Sequence, residues 1–220
     1  MVQFRLDIST YPLLRKLLIK VASQHVKTKA DAFPKGIIQK ALREMDDDDQ
    51  MQLADKMTIL FLFFGLHRRS ETLEMQVKDV SFTDGGDINA NHPHATKRDA
   101  RGFSHKIPGH NKPSFEQCIN QFSKSTKDDS RFLKNHNVKS KCRHQNYGIN
   151  KVKGLAKTIA TKCGLIGKCT THSFRRSAST SLAESGMSIV ALCHAGRWKS
   201  YKTAKGCTEH SNVEKNDRMN

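Results

Sequence analysis

Apolar residues recur every three or four positions through several stretches of the chain, and this spacing predicts amphipathic helices. We expect helices over residues 9–24, 34–44 and 149–163. The stretch 50–64 is so apolar on all sides that it should lie at the centre of the core. A further helix is expected to begin near Thr171, ahead of a Leu-rich helical stretch.

Loosely alternating apolar and polar residues predict strands over residues 73–80 and 81–83, a turn at 84–87 and a returning strand near 102–108. The chain should therefore be mainly α with a small antiparallel β-sheet. The least informative region is 109–147, in which residues 113–122 are predicted to be helical and residues 123–130 and 135–146 to form polar loops.

Hydrophobic residues make up 36% of the 220 positions, enough for one core and a small satellite but not for two full domains. We therefore expect one main domain. Residues 1–32 are too few to fold alone, so the helix at 9–24 and the basic linker after it are interpreted as the tail of something larger.

The chain is strongly basic, because it contains 38 Lys and Arg residues but only 21 Asp and Glu residues, which gives a formal net charge of +17. Such a surplus favours a polyanionic partner, and nucleic acid is the leading candidate. A protein that is basic without such a partner stays open as the alternative. The acidic run Asp46 to Asp49 is interpreted as compensation for the positive N-terminus of the helix that follows, rather than as an acidic metal site.

The six cysteines contain no C-x-x-C pair, and no histidine falls at zinc-finger spacing beside them, so we expect no metal and no small-molecule cofactor. The N-terminus has no signal-peptide pattern, because charged Arg5 and Asp7 come early. The longest uncharged apolar run, residues 57–66, is too short to span a bilayer. These features predict an intracellular, reducing location without a membrane.

Candidate chemistry is concentrated between Thr171 and Ser211. His172 and Arg175 are three residues apart on the expected helix, so both can reach one anionic oxygen. The basic turn 196–200, Gly-Arg-Trp-Lys-Ser, follows. Arg68 and Arg69, which directly follow the buried helix, are either held against a rigid wall or simply solvated.

In these segments the chain resembles the tyrosine recombinase and integrase family, most closely its eukaryotic branch typified by crypton transposons. The resemblance covers roughly residues 33–211 and rests on an ordered set of boxes rather than on one short motif. The matching segments are Arg68-Arg-Ser-Glu71 (R-x-[SG]-E), Thr96-Lys97 (the T-K of a hairpin), His172-Ser-Phe-Arg175 (H-x-x-R) and Gly196-Arg-Trp-Lys-Ser200.

The resemblance implies a recombinase-type (DNA breaking-rejoining) catalytic domain over residues 33–220, with residues 1–32 as the remnant of a core-binding domain. It also implies double-stranded DNA as the partner, a possible homo-oligomer on that DNA, and a nuclear location. In this family a tyrosine attacks a DNA phosphodiester without a metal, so fixed cations must stabilise the transition state.

By the same resemblance, Arg68 and Arg175 would clamp the non-bridging phosphate oxygens, and Lys97 would protonate the leaving oxygen. His172 would shuttle or donate a proton, and Trp198 would pack against the phosphate and donate a hydrogen bond to it. Further basic residues near these boxes are assigned to DNA binding: Arg69, Arg98, Arg101, Arg176, Arg197 and Lys199.

Cys207 is the main departure from the family pattern, because it occupies the position, nine residues after Trp198, where the nucleophilic tyrosine is expected. A thiol is shorter than a phenol and prefers softer electrophiles than phosphorus. Tyr201 lies only three residues after Trp198 and is interpreted as a packing or phosphate-contact residue.

Three functions remain in competition. The first is a DNA-binding domain of the recombinase type that has lost strand cleavage. The second is a working recombinase that uses another nucleophile or a tyrosine supplied in trans. The third is a decayed transposon-derived protein that acts as a protein-interaction module.

Overall fold

The computed structural model describes residues 10–24, 30–46, 49–83, 87–92, 103–107, 130–136 and 142–208. Within them the chain is mainly helical, with small antiparallel sheets, as the sequence predicts. Helices α1 to α8 span Pro12–Gln24, Ile37–Glu44, Gln50–Phe63, Arg69–Glu74, Ile149–Lys162, Thr171–Glu184, Ile189–Ala195 and Tyr201–Thr208. Strands β1 to β5 span Val80–Phe82, Ile88–His92, Phe103–Ile107, Lys134–His136 and Cys142–Asn146.

Helix α3 lies at the centre of the core, as its apolar sequence predicts. Leu53, Ile59 and Phe61 on it are completely buried, and Phe174 of α6 belongs to the same core. Asp49 caps the helix by accepting a hydrogen bond from Met51 N at 2.8 Å. Hydrogen bonds from Gln52 and Met51 lower the pKa of Asp49. For this residue, the contacts agree with the prediction that the acidic run compensates the positive N-terminus of the helix.

The segment before α2 is attached to the middle of α6 and to the loop that precedes α6. Phe33 N donates to Ser177 Oγ at 2.7 Å, and Asp31 N donates to the Lys168 carbonyl at 3.1 Å. Helix α1, by contrast, leaves Leu13 and Ile19 largely exposed. No helix within the described residues is long and apolar enough to cross a membrane.

The main sheet is a three-stranded antiparallel meander in the order β1, β2, β3, with Val80 opposite Ala90 and Ala90 opposite His105. The prediction of a strand over residues 73–80 is wrong in most of its length. Leu73 and Glu74 end α4, and Val77–Asp79 form a 3-10 turn. This turn is favoured because the Asp79 carboxylate accepts from Gln76 N at 2.8 Å.

The interpretation of residues 135–146 as a polar loop is also wrong in part, because β4 and β5 pair there as antiparallel strands. A polar cross-strand contact supports the pair, with Lys134 Nζ donating to Asn146 Oδ1 at 2.8 Å. Strands without an apolar face show no alternation, so sequence reading misses them. The helix predicted over residues 113–122 lies outside the described residues.

Helix α5 matches its prediction closely. The residues expected to face inward are buried, and Gly164 follows the helix with φ 63°, a left-handed conformation that favours glycine at a helix end. The buried set is Val152, Leu155, Ala156, Ile159 and Ala160.

Candidate active site

Helix α6 supplies one wall of a large open cleft of about 1960 Å³. Thr170 caps the helix by accepting from His172 N at 3.2 Å, and its own N–H donates to Ser173 Oγ at 2.9 Å. Thr170, Thr171 and His172 line the cleft, so the positive N-terminal end of the helix faces it. Other walls come from the start of α4, the turn between α7 and α8, and α8 itself, so the cleft is lined by Arg68, Arg69, His172, Arg175, Trp198 and Cys207 among others.

Arg175 is buried at the base of this cleft, where backbone carbonyls fix its guanidinium. Nη1 donates to the Leu66 carbonyl at 2.6 Å, and Nη2 donates to the Gly196 carbonyl. Leu66 has φ 49°, an unusual value for a branched residue, so the turn that presents its carbonyl is strained. Burial lowers the pKa of Arg175 to about 10, and the nearby Arg68 and Arg197 add to the effect. The group stays charged at neutral pH.

Trp198 covers one face of the Arg175 guanidinium. The guanidinium carbon lies 4.4 Å from the centroid of the Trp198 ring, within cation-π range. The ring also lies so close to the Gly196 backbone that a Cβ at position 196 would overlap it. Cys193 supports this turn, because its thiol donates to the Trp198 carbonyl at 3.0 Å.

Arg68 reaches the cleft from the start of α4 and is held by two partners. Nη1 donates to Glu71 Oε1 at 2.5 Å, and Nη2 donates to the Arg197 carbonyl at 2.6 Å. Its backbone N–H also donates to Glu71 Oε2 at 2.7 Å. Each contact uses only part of the donor capacity of a guanidinium, so Arg68 and Arg175 both keep N–H groups for an anion.

Glu71 is the buried carboxylate around which these cations gather. Its Oε2 accepts from Arg197 Nη2 at 2.6 Å, and its side chain is fully buried. Burial alone would raise the pKa of Glu71, but Arg197 and Arg68 outweigh that effect and lower it. The guanidinium groups of Arg68 and Arg197 thus bind one carboxylate, while that of Arg175 is held by backbone carbonyls. The site has an excess of positive charge.

His172 lies at the mouth of the cleft on the first turn of α6. Desolvation lowers its pKa, and the charges of Arg175 and Arg69 lower it further. The imidazole is therefore neutral at pH 7 and can accept or donate a hydrogen bond there.

Helix α8 brings Cys207 to the same cleft. Arg176, the neighbour of Arg175, donates from Nη1 to the Gly206 carbonyl at 2.8 Å and so ties the end of α8 to α6. Cys207 lines the cleft together with Arg175 and Arg176. Tyr201, at the other end of α8, also lines the cleft but is 56% exposed.

The sequence model of the phage integrase family matches residues 37–213. The chain belongs to the phage integrase family. It is 25% identical over 216 residues to the integrase/recombinase xerD homolog of Selenomonas ruminantium, an alignment that covers 92% of this chain and 63% of that protein. The chain therefore spans less than two thirds of the length of this relative.

Solved structures show the same fold. The XerH site-specific recombinase bound to difH substrate superposes with a TM-score of 0.66 at 14% identity, over 96% of this chain and 64% of that one. The Tn1549 transposon integrase in complex with circular intermediate DNA gives a TM-score of 0.58 at 15% identity, over 94% and 75%. The mainly helical fold with small antiparallel sheets is thus that of tyrosine recombinase catalytic domains.

In this integrase-family chain, residues that are 139 positions apart in the sequence, from Arg68 to Cys207, line one cleft. Arg68 rather than Arg69 pairs with Glu71, while Arg69 lines the cleft beside it. Arg176 and Arg197, which the sequence assigns to DNA contact, are both largely buried and held by protein partners. Lys199 lines the cleft. Lys97, Arg98 and Arg101 lie outside the described residues.

Two organising residues of the integrase-type site carry no assigned role in the sequence reading. The motif includes Glu71 only as the end of the Arg box, although an acidic residue beside two arginines is a signal for a buried ion pair. Gly196 stands in the sequence only as the first residue of the basic turn. Its close contact with the Trp198 ring depends on the folded turn, and no sequence pattern reveals it.

Proposed function

We propose that this chain is a double-stranded-DNA-binding domain of the tyrosine recombinase type in which strand cleavage has been lost. One observation carries the proposal. The Arg68 and Arg175 side chains, His172 and Trp198 line one basic cleft together with Cys207, the residue that we assign to the position of the family tyrosine. Recombinases of the same fold were solved with DNA, which supports DNA as the partner.

The chemistry of the cleft suits a phosphodiester. Guanidinium groups bind two phosphate oxygens at once, and both arginines are oriented before the anion arrives, so little ordering remains to be done on binding. Lys97 is assigned as the general acid by its motif alone. His172, neutral at pH 7, would donate a hydrogen bond to a phosphate oxygen.

Loss of cleavage follows from the nucleophile. A thiolate at position 207 is shorter than a tyrosine and attacks phosphorus poorly, while the oxyanion-stabilising groups of the cleft remain. A phosphate would then be held without being cut. We therefore expect binding without covalent capture.

The test is a nicked duplex that traps a covalent protein-DNA intermediate. The unaltered chain should bind the duplex but give no adduct that survives SDS. Cys207→Tyr should restore an adduct if only the nucleophile is missing, and Cys207→Phe is the matched control, of similar size without the hydroxyl. An SDS-stable adduct from the unaltered chain would overturn the proposal.

A working recombinase with another nucleophile is the second candidate, and the position of Tyr201 favours it. This tyrosine is exposed on the same cleft. If the unaltered chain gives an adduct, Tyr201→Phe decides whether this hydroxyl forms it. An adduct that persists in Tyr201→Phe would point to a different nucleophile, either in the same chain or supplied by another molecule.

The finer placement of the chain is also a proposal. The ordered boxes favour the crypton-type eukaryotic branch, and the net charge of +17 suits a nuclear DNA partner. The core begins at Phe33, while α1 keeps its apolar residues exposed, which supports assigning residues 1–32 to a core-binding unit and residues 33–220 to the catalytic-type domain. A fluorescently tagged chain that stays out of the nucleus of eukaryotic cells would contradict the location.

A further inference from the structure

The segment of residues 30–33, called the strap, forms part of the cleft wall, and the proposed function gives it no role. Its first residue, Ala30, lines the cleft, as do Lys168 and His172. The wall that presents His172 is therefore built from two stretches that are far apart in the sequence, the strap and the loop 163–170 that precedes α6.

Asp31 joins these two stretches. Its backbone N–H donates to the Lys168 carbonyl at 3.1 Å, and its Oδ2 accepts from the Lys168 N–H at 2.7 Å. One residue of the strap thus binds both backbone groups of one loop residue. Because a carboxylate is a stronger acceptor than a neutral oxygen, the side chain of Asp31 makes the stronger of the two bonds.

Gly167 makes room for this contact. A Cβ added at position 167 would lie 2.7 Å from Asp31 Oδ2, closer than a carbon and an oxygen normally approach. The φ of Gly167 lies outside the left-handed region, so the glycine is needed here for space and not for an unusual backbone conformation. Any larger residue would push the carboxylate away from the Lys168 N–H.

The other end of the strap is attached to α6 itself. Phe33 N donates to Ser177 Oγ at 2.7 Å, and the Phe33 ring packs on the Phe174 ring with 5.1 Å between centroids. The strap therefore bridges the loop before α6 and the middle of that helix. The turns between these two anchors carry His172 and Arg175, so the strap fixes the loop relative to the residues that face the cleft.

We propose that Asp31 is a positioning residue of the DNA-binding cleft, which holds the loop before α6, and through it the first turn with His172, in the arrangement that a phosphate meets. This inference rests on the proposed function. Asp31 acts through Lys168 and Thr170, the residue that caps α6, and does not itself touch the phosphate. Its contribution is that little ordering of this wall remains when DNA binds.

The first test uses the charge of Asp31, because electrostatics and positioning predict opposite results. Asp31→Ala removes a negative charge from the cleft wall, and charge alone predicts tighter binding of an anionic duplex. The positioning role predicts that Asp31→Ala weakens binding by about three- to tenfold. Asp31→Asn removes the same charge but keeps an acceptor oxygen, so it should bind at least as tightly as the unaltered chain. Fluorescence anisotropy with a labelled duplex measures these affinities.

Glu184→Ala is the matched control for charge, because it removes an exposed carboxylate at the end of α6 that does not line the cleft. Its affinity for the duplex should stay the same or rise slightly. Tighter binding by Asp31→Ala, or equal affinity of Asp31→Ala and Asp31→Asn, would overturn the inference.

Gly167→Ala provides a second test that changes no charge. Its methyl group displaces the Asp31 carboxylate, so this variant should weaken duplex binding about as much as Asp31→Ala does. In the double variant the methyl group meets no carboxylate, and the second substitution should cause no further loss. Losses that add in the double variant would show that the two residues act separately.

Hydrogen exchange of the Lys168 amide, followed by NMR, reports the contact without DNA. Exchange should be faster in Asp31→Ala and Gly167→Ala than in the unaltered chain, and Asp31→Asn should restore slow exchange. Equal exchange rates in all of these variants would contradict the contact itself. If the unaltered chain binds no duplex, the proposed function fails, while amide exchange still decides whether Asp31 holds the loop.

Discussion

Glu71 and Arg197 form a buried ion pair that joins the start of α4 to the turn after α7, with Arg197 Nη2 2.6 Å from Glu71 Oε2. The two residues are 126 positions apart, and the same carboxylate holds Arg68. The positions of Arg68 and Arg197 therefore depend on one acidic residue that does not itself face an anion, while backbone carbonyls hold Arg175.

Replacing Glu71 should be costly. Glu71→Gln leaves Arg197 and Arg68 without their counter-charge in a buried place, and the free energy of unfolding should fall by about 3 to 5 kcal/mol. Chemical denaturation measures this. Glu44→Gln is the control, because the Lys40–Glu44 pair is exposed at both ends and should contribute at most about 1 kcal/mol. Equal losses in both variants would contradict the central role of Glu71.

A methyl group at Gly196 should displace Trp198 from Arg175. Gly196→Ala places a Cβ where the indole ring lies, although the backbone at φ −85° accepts alanine. Because Trp198 is the single tryptophan of the sequence, its emission reports this movement directly. We expect a shifted emission spectrum and a lower melting temperature.

The control for that substitution is Gly154→Ala on α5. A Cβ at position 154 meets nothing within 4 Å, and alanine favours a helix over glycine by roughly 0.5 to 1 kcal/mol. This variant should melt slightly higher with unchanged emission. An unshifted spectrum in Gly196→Ala would mean that the ring does not pack as the structure shows.

Sequence reading identifies the elements of the site better than their connections. The predicted helices α3, α5 and α6 are confirmed, because the spacing of apolar residues that predicts a helix lies within the helix itself. The strand predicted over residues 73–80 is wrong because side-chain capping by Asp79 decides that turn. The burial of Arg176 against Gly206 depends on how α8 packs on α6, and residues 30 positions apart carry no local sign of such a contact.

Removing a cleft arginine should lower both the affinity for duplex DNA and the dependence of that affinity on salt. Arg68→Ala should weaken binding and reduce the slope of log affinity against log salt by about one, because one phosphate contact is lost. Lys153→Ala, an exposed lysine of α5 outside the cleft, is the matched control. Fluorescence anisotropy across a salt series gives both quantities. Identical slopes for the two variants would place the DNA elsewhere on the surface.

Acidification should strengthen duplex binding through His172. Desolvation and the charges of Arg175 and Arg69 hold the pKa of this histidine below its usual 6.5, so the free protein disfavours the protonated imidazole. A bound phosphate next to the ring has the opposite effect and favours the protonated imidazole. Binding then takes up a proton as the pH falls below 6.5, and affinity rises there. The same depressed pKa means that the unbound fold loses stability over that range. His172→Gln should flatten the affinity profile, while His194→Gln, also on the cleft, should keep it. A profile unchanged by His172→Gln would show that the imidazole does not face the phosphate.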